Sequence, residues 1–191
     1  MKREDDNSTL YIGLDESNHG RYPEIIVAVS SLIKTDTNIS KMDRRERMSE
    51  EELIRFLNNE QRNYAYLKAK KGQLTKNKHQ LVEAAPCLID KLITDHRREY
   101  TNIDSIAMLF DGELISRDTY KLLYCIKRIK CVGRGVAVSY EYYPKSTKNN
   151  YDYPKILVAA DSLAHLLFRK HSFTDKIGAE KRMIRMTKLK R

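Results

Sequence analysis

Four acidic residues of this 191-residue chain lie where a packed core does not favour them. Asp15 and Glu16 end the alternating apolar run TLYIGLDE, and Asp111 ends a continuous apolar run, IAMLF. Asp161 lies inside a nearly all-apolar segment, KILVAADSLAHLLFRK. Ionised carboxylates are almost never fully buried without a partner. Their positions therefore indicate either local caps and salt bridges or one shared site.

A shared site would bind a divalent cation. Asp15 and Asp111 emerge side by side if the first and fourth predicted strands are neighbours, and a helix across that edge can add Asp161. Carboxylates that lie close together repel each other unless a cation neutralises them. Oxygen ligands without a nearby set of Cys and His favour Mg²⁺ or Mn²⁺. Two such ions activate a water and stabilise the leaving oxygen of a phosphodiester, which predicts metal-dependent phosphodiester hydrolysis.

Each acid also has a purely structural explanation. Asp15 and Asp111 can cap turns or helices, and Asp161 can pair with Arg169 or with a lysine of the tail. In a regular strand Asp15 and Glu16 point to opposite faces, so both serve one site only if the strand ends or bulges there. Glu16 is therefore the weaker candidate ligand.

The elements that position these acids follow from the periodicity of the apolar residues. Period-two or continuous apolar runs predict strands, the first two of which form a hairpin, at 9–16, 25–33, 63–72, 103–112 and 133–143. Spacings of three and four predict helices at 41–58, 78–99 with a kink or a restart at Pro86, 113–130 and 155–170, and a polar loop is predicted at 144–152. This order is typical of an α/β domain, a mixed β-sheet of about five strands flanked by helices, over residues 1–175.

The charge is concentrated at the end of the chain. There are 36 Lys and Arg against 26 Asp and Glu, a formal net charge of +10. Residues 176–191 form a basic C-terminal tail with seven basic residues and one glutamate. Such a balance favours nucleic acid as the partner.

The sequence has no signal for a membrane protein, a secreted protein or a protein that binds a small-molecule cofactor or zinc. No apolar run is long enough for a membrane span, and the start MKREDDNSTL has no apolar core of a secretory signal. Cys87, Cys125 and Cys131 form no Cys-x-x-Cys pair and are predicted to be buried free thiols of a reducing, cytoplasmic location. No motif for a small-molecule cofactor or a zinc ion is present, and the oligomeric state is left open.

Three stretches carry a resemblance to a known family. The run YIGLDESNHGRYPEIIVAVSSLI resembles the first hairpin of ribonuclease HII, MLFDG resembles that family's strand ending in a catalytic Asp, and YPKILVAADSLAHLLFRK is similar to its YP-containing helix. The segments Asp15-Glu16-Ser17 and Ala160-Asp161 also resemble the family called domain of unknown function 3800, which is ribonuclease H-like.

The resemblance implies a ribonuclease H-like fold and a two-metal nuclease that cuts the RNA strand of an RNA–DNA hybrid. Asp15, Glu16, Asp111 and Asp161 would then be both catalytic and metal-binding. Ribonuclease HII has a Gly-Arg-Gly turn where this chain has Asn18-His19-Gly20-Arg21, which puts junction-specific cleavage in doubt. The position of the last acid also differs. Ribonuclease HII places it just before the YP pair, near Asp152 in this chain, whereas the domain of unknown function 3800 family places it inside the helix, at Asp161. Asp161 is therefore the first candidate and Asp152 its substitute.

Further residues are candidates for substrate binding. His19 and Arg21 follow the acidic pair in a turn, where His19 could transfer a proton to the leaving group. Lys145 and Lys148, in the loop before the last helix, could neutralise a phosphate. Two other classes remain open: a non-catalytic nucleic-acid-binding protein whose acids are structural, and a metal-dependent phosphoesterase that acts on small substrates.

Overall fold

The computed structural model describes residues 9–17, 24–43, 47–69, 80–99, 103–111, 116–127, 136–143 and 150–172. The strands within these ranges are β1 (Thr9–Ser17), β2 (Glu24–Ser31), β3 (Ile39–Asp43), β4 (Arg62–Ala69), β5 (Ser105–Asp111), β6 (Ala137–Tyr143) and β7 (Asn150–Pro154). The helices are α1 (Glu50–Leu57), α2 (Gln80–Glu99), α3 (Ser116–Lys127) and α4 (Lys155–Ser172), with a 3₁₀ turn at Lys34–Thr37.

Five of the strands form one mixed sheet in the order β4-β2-β1-β5-β6. β2 runs antiparallel to its neighbours β1 and β4, whereas β1 is parallel to β5 and β5 is parallel to β6. The predicted α/β class, the five-stranded mixed sheet and the opening hairpin are confirmed. β1 and β5 are neighbours, so the strand that ends near Asp15 lies beside the strand that ends at Asp111.

Helices cover both faces of this sheet, because successive side chains of each strand point to opposite sides. Leu10, Ile12 and Leu14 of β1 pack in the core that α2 and α3 cover. Ile25 and Val27 of β2 pack in the opposite core, with α1 and α4. The α4 helix thus lies on the face of β1 that carries the odd-numbered residues, Asp15 among them.

Local signals set the start of α1 and the continuity of α2. Ser49 followed three residues later by Glu52 predicts a capping box, and it is present: the Ser49 backbone N–H donates to the Glu52 carboxylate at 2.8 Å, and the Glu52 N–H donates to the Ser49 hydroxyl at 3.2 Å. These bonds satisfy donors that a helix start otherwise leaves unpaired. The α2 helix continues through Pro86 as one element, so the predicted restart at that residue does not occur.

Two short strands differ from the sequence prediction. β3 lies at the start of the segment predicted to be a helix over 41–58, and β7 begins within the predicted polar loop. They pair antiparallel, from Ile39 opposite Pro154 to Asp43 opposite Asn150, as a separate two-stranded sheet. Each is stabilised by a partner far away in sequence, which local periodicity does not reveal. Since β7 leads directly into α4, this ribbon anchors the start of that helix.

The cysteines test the prediction of buried thiols, and the helix lengths test the prediction that the chain does not span a membrane. Cys87 and Cys125 are free thiols, but Cys87 is exposed, so its predicted burial is wrong. It lies on the solvent side of α2, whose opposite side buries Leu88 and Ile89. Among the described residues, no helix combines the length and apolar character needed to cross a membrane.

Candidate functional site

Asp15 and Asp111 lie side by side at one edge of the sheet. The parallel pairing of β1 with β5 runs to Leu14 opposite Phe110, and each aspartate is the next residue of its strand. Neighbouring parallel strands carry matched residues on the same face, and Asp15 and Asp111 follow the odd-numbered face that α4 covers. Asp111 is exposed and Asp15 is partly buried.

The α4 helix brings Asp161 to the same edge. A Cβ atom added at Gly13 would lie 2.9 Å from the Ile156 carbonyl oxygen, so the helix backbone touches β1 there. Asp161, five residues further along the helix than Ile156, interacts with Asp15, two residues further along the strand than Gly13.

The electrostatics of Asp15 show that the three carboxylates interact. Burial raises the pKa of Asp15 well above its usual value, and the negative charges of Asp161 and Asp111 raise it further. A hydrogen bond between Asp15 and Asp161, which needs a proton on one of them, acts in the same direction, and the Glu16 backbone acts against it. The structure thus brings together three of the four predicted acids.

Glu16 is the fourth, and its position in the strand places it on the other face of the sheet. The pairing of β1 with β2 continues without a bulge through Glu16 opposite Ile26 and Ser17 opposite Ile25. In an unbroken strand Glu16 points to the face opposite that of Asp15. The condition under which both residues could serve one site, a strand end or a bulge, is not met.

Arg47 is a member of the site that the sequence reasoning missed. Its Nε donates to Asp161 Oδ2 at 2.6 Å and its Nη2 donates to Asp161 Oδ1 at 3.1 Å. The hydrogen bond to Asp161 raises the pKa of the Arg47 guanidinium, and the negative charges of Asp161 and Asp15 add to this effect. Among the described residues, the salt-bridge partner of Asp161 is therefore Arg47 and not the predicted Arg169; the tail lysines lie outside the described residues.

The backbone beside Arg47 is held to the same helix. The Met48 N–H donates to the Ser162 hydroxyl at 3.0 Å, so adjacent residues of α4 bind adjacent residues of the segment before α1. The sequence DRRERMSEEE offers several basic residues and no periodicity that selects one of them. The capping box, two residues after Arg47, was the only local signal that fixed the position of this segment.

Tyr153 is the second residue that was missed as a member of the site. It lies on β7, and its hydroxyl donates to Asp111 Oδ1 at 2.8 Å. In the sequence it belongs to a tyrosine cluster whose composition suggests base stacking. Its observed role is to orient a carboxylate, and this follows only from the unpredicted β3–β7 ribbon.

His165 lies one helical turn after Asp161 and is partly buried. Burial lowers its pKa, the charges of Arg47 and Arg169 lower it further, and Asp161 acts in the opposite direction. The imidazole is thus held towards its neutral form beside the Arg47–Asp161 pair.

The donor set of the site fits a hard divalent cation in chemistry, because it consists of carboxylates. However, within the described ranges no group of three His, Cys, Asp or Glu side chains is arranged to hold a metal ion. Asp161 is engaged by Arg47 and Asp111 by Tyr153. Direct ligation by all three aspartates therefore requires Asp161 to leave Arg47.

The remaining candidates lie outside the described residues. This holds for His19, Arg21, Lys145 and Lys148, and for the tail 176–191. Asp152, the substitute for Asp161, lies on β7 opposite Lys41, and only its backbone is described.

No protein-family model matches the chain, and no curated protein is significantly similar to it. The case for a function therefore comes from the geometry of the site and from the motifs of the sequence.

Proposed function

We propose that this protein is a divalent-metal-dependent nuclease that hydrolyses phosphodiester bonds in nucleic acid, with the RNA strand of an RNA–DNA hybrid as the favoured substrate. One observation carries the proposal: Asp15, Asp111 and Asp161, from three separate elements, interact closely enough for two of them to raise the pKa of the third. The favoured substrate and the ribonuclease H-like assignment come from the resemblance of the motifs.

The charge at this edge favours the binding of a cation. Among the residues that the structure describes, three aspartates interact with one cationic side chain, that of Arg47, so ionisation of all three leaves an excess of negative charge there. A protein that used these residues only for stability would gain by replacing one of them with an amide. Two Mg²⁺ or Mn²⁺ ions, held by Asp15, Asp111 and Asp161, would neutralise the excess, activate water and stabilise the leaving oxygen.

The chain's own residues prepare the site for a polymer. Tyr153 holds the Asp111 carboxylate in one orientation, and Gly13 lets α4 approach closely enough to place Asp161. Asp111 is exposed and the Asp161 side chain is 44% exposed, so a phosphate backbone has access from solvent. A site at the carboxyl ends of parallel strands is a common position for ligands in α/β sheets.

The alternative is a non-catalytic nucleic-acid-binding protein. It is favoured by the Arg47–Asp161 pair, which already satisfies one carboxylate without any metal ion, and by the basic tail. On this alternative the acids stabilise the fold, and binding depends on salt but not on Mg²⁺.

The test is cleavage of labelled RNA–DNA hybrid, duplex DNA, single strands, a duplex with one ribonucleotide and a small phosphodiester, with Mg²⁺, Mn²⁺ or a chelator. The variants are Asp15→Asn and Asp111→Asn. Asp104→Asn is a matched control, because Asp104 is exposed just before the other end of β5.

Metal-dependent cutting that both site variants lose and Asp104→Asn keeps would support the nuclease and name its substrate. Salt-sensitive binding without cutting of any polymer would favour the binding protein. Turnover of the small phosphodiester alone would indicate a phosphoesterase.

A further inference from the structure

We infer that Arg47 is a displaceable counter-ion of the site: it holds Asp161 until a divalent cation takes that carboxylate, and its guanidinium then binds a phosphate of the nucleic-acid substrate. This inference rests on the proposed function. It assigns a second role to a residue whose guanidinium is hydrogen-bonded to a predicted metal ligand.

The Arg47–Asp161 pair has good geometry but is accessible to water. Both contacts of the guanidinium fork are within hydrogen-bond distance, at 2.6 and 3.1 Å. The side chains are 47% and 44% exposed, so water can hydrate both groups when they separate. Exposed pairs of this kind contribute little to stability, so a cation of higher charge that binds Asp15 or Asp111 as well has the advantage.

The backbone of Arg47 does not have to move. The Met48 N–H is bound to Ser162, which is 4% exposed, and the capping box at Ser49 starts α1 immediately afterwards. Only the long side chain has to turn, from a fixed point beside Asp161. The freed guanidinium therefore stays at the rim of the carboxylate cluster, where a phosphate bound to the cations would lie.

The chemistry of the fork suits both partners. Arginine presents parallel N–H donors that match a carboxylate or a phosphate in the same bidentate manner. Within the described ranges, the charged and titratable groups that interact with it are Asp161 and His165 of α4 and Asp15 of β1. Once a cation binds both aspartates, an anionic phosphate becomes the best remaining partner for the guanidinium.

The test compares Mn²⁺ binding to the full chain of wild type, Arg47→Gln and Arg47→Lys, measured by electron paramagnetic resonance of free Mn²⁺. Arg55→Gln is the matched control, since Arg55 is an exposed arginine of α1 and the charge change is the same. Arg47→Gln is expected to bind Mn²⁺ up to about fivefold more tightly, the fold-change that corresponds to the loss of a competing pair worth about 1 kcal/mol. Arg47→Lys should lie between the two, because lysine keeps the charge but not the fork.

The second readout is binding of a non-cleavable RNA–DNA hybrid in Ca²⁺ at several salt concentrations. Arg47→Gln should bind more weakly and lower the salt dependence by about one phosphate contact relative to Arg55→Gln. An increase in KM with little change in kcat would agree with a phosphate contact. Unchanged hybrid affinity would overturn this half of the inference.

The outcomes separate the inference from the proposed function. Equal Mn²⁺ affinity in wild type and all variants would overturn the inference and leave the nuclease proposal standing. Mn²⁺ binding by Arg47→Gln but not by wild type would support competition and contradict a metal-dependent wild type. No Mn²⁺ binding by any of them would overturn both.

Discussion

Two aspartate–arginine pairs of this protein have nearly the same geometry and opposite surroundings. Arg62 donates to Asp36 through Nε at 2.6 Å and Nη2 at 2.8 Å, and Arg47 donates to Asp161 through the same two nitrogens at 2.6 and 3.1 Å. The Asp36 and Arg62 side chains are 3% and 13% exposed, whereas those of Asp161 and Arg47 are 44% and 47% exposed.

The neighbours of the two pairs differ as much as their burial. Asp36 also accepts from the Ser31 hydroxyl at 2.6 Å, and Arg62 donates to the Phe56 carbonyl at 3.0 Å and lies over the Phe56 ring. Around Asp161, by contrast, are a second carboxylate with a raised pKa and a partly buried histidine. Nearly the same contacts thus fix the Arg62–Asp36 pair in place and leave the Arg47–Asp161 pair able to exchange partners. The reason is that only the first pair is shielded from water and has further hydrogen bonds to its neighbours.

The largest expected contrast is between Asp36→Asn and Asp161→Asn. Asp36→Asn leaves a buried arginine without its counter-ion and should lower the free energy of unfolding by about 3–5 kcal/mol. Asp161→Asn should change it by less than about 1 kcal/mol and reduce cleavage by roughly 10²-fold or more. Urea unfolding and initial cleavage rates measure the two effects. Similar stability losses in both variants would remove the distinction between the pairs.

Gly13→Ala should lower the stability of the fold and also shift the position of Asp161. The new Cβ would lie 2.9 Å from the Ile156 carbonyl oxygen, so α4 must shift away from β1. Overpacking of this kind costs about 1–3 kcal/mol, and the shift moves Asp161 relative to Asp15. We expect a lower urea midpoint together with slower cleavage. A normal cleavage rate in a destabilised protein would show that the position of Asp161 tolerates the shift.

Asp15→Asn should stabilise the metal-free protein in a pH-dependent manner. The pKa of Asp15 is raised on folding, so the folded state binds its proton more tightly than the unfolded state does. In the wild type this disfavours folding increasingly as pH rises above about 4, and the amide removes the effect. The Tm of Asp15→Asn relative to wild type should therefore be higher at pH 7 than at pH 4, measured with a chelator present. A difference that is constant with pH would contradict the assigned electrostatics.

The smallest expected effect is that of Arg47→Gln on stability. The exposed pair contributes roughly 0–1 kcal/mol, so the Tm should change by no more than about 2–4 °C in a chain of this length. Arg62→Gln is the opposite case and should behave like Asp36→Asn. If Arg47→Gln were as destabilising as Arg62→Gln, the site pair would be structural.

The part of the site that the sequence predicted depends on strong periodicity. The alternation before Asp15 and the continuous apolar run before Asp111 define two strands, and the apolar segment around Asp161 defines a helix. Their convergence followed from the adjacency of β1 and β5. Arg47 and Tyr153 were missed because each is placed by contacts between distant segments, the Met48–Ser162 bond and the β3–β7 pairing.

The close approach at Gly13 has a consequence for strand register. A one-residue slip of β1 would bring Ile12 or Leu14 beneath the Ile156 carbonyl oxygen, where even a Cβ would lie at 2.9 Å. The same slip would turn Glu16 towards α4 and Asp15 away from it, since a shift of one residue exchanges the two faces of a strand. Asp15 and Glu16 are adjacent acids with nearly the same chemistry. Because Gly13 has no side chain, it fixes the register in which Asp15, and not Glu16, faces α4.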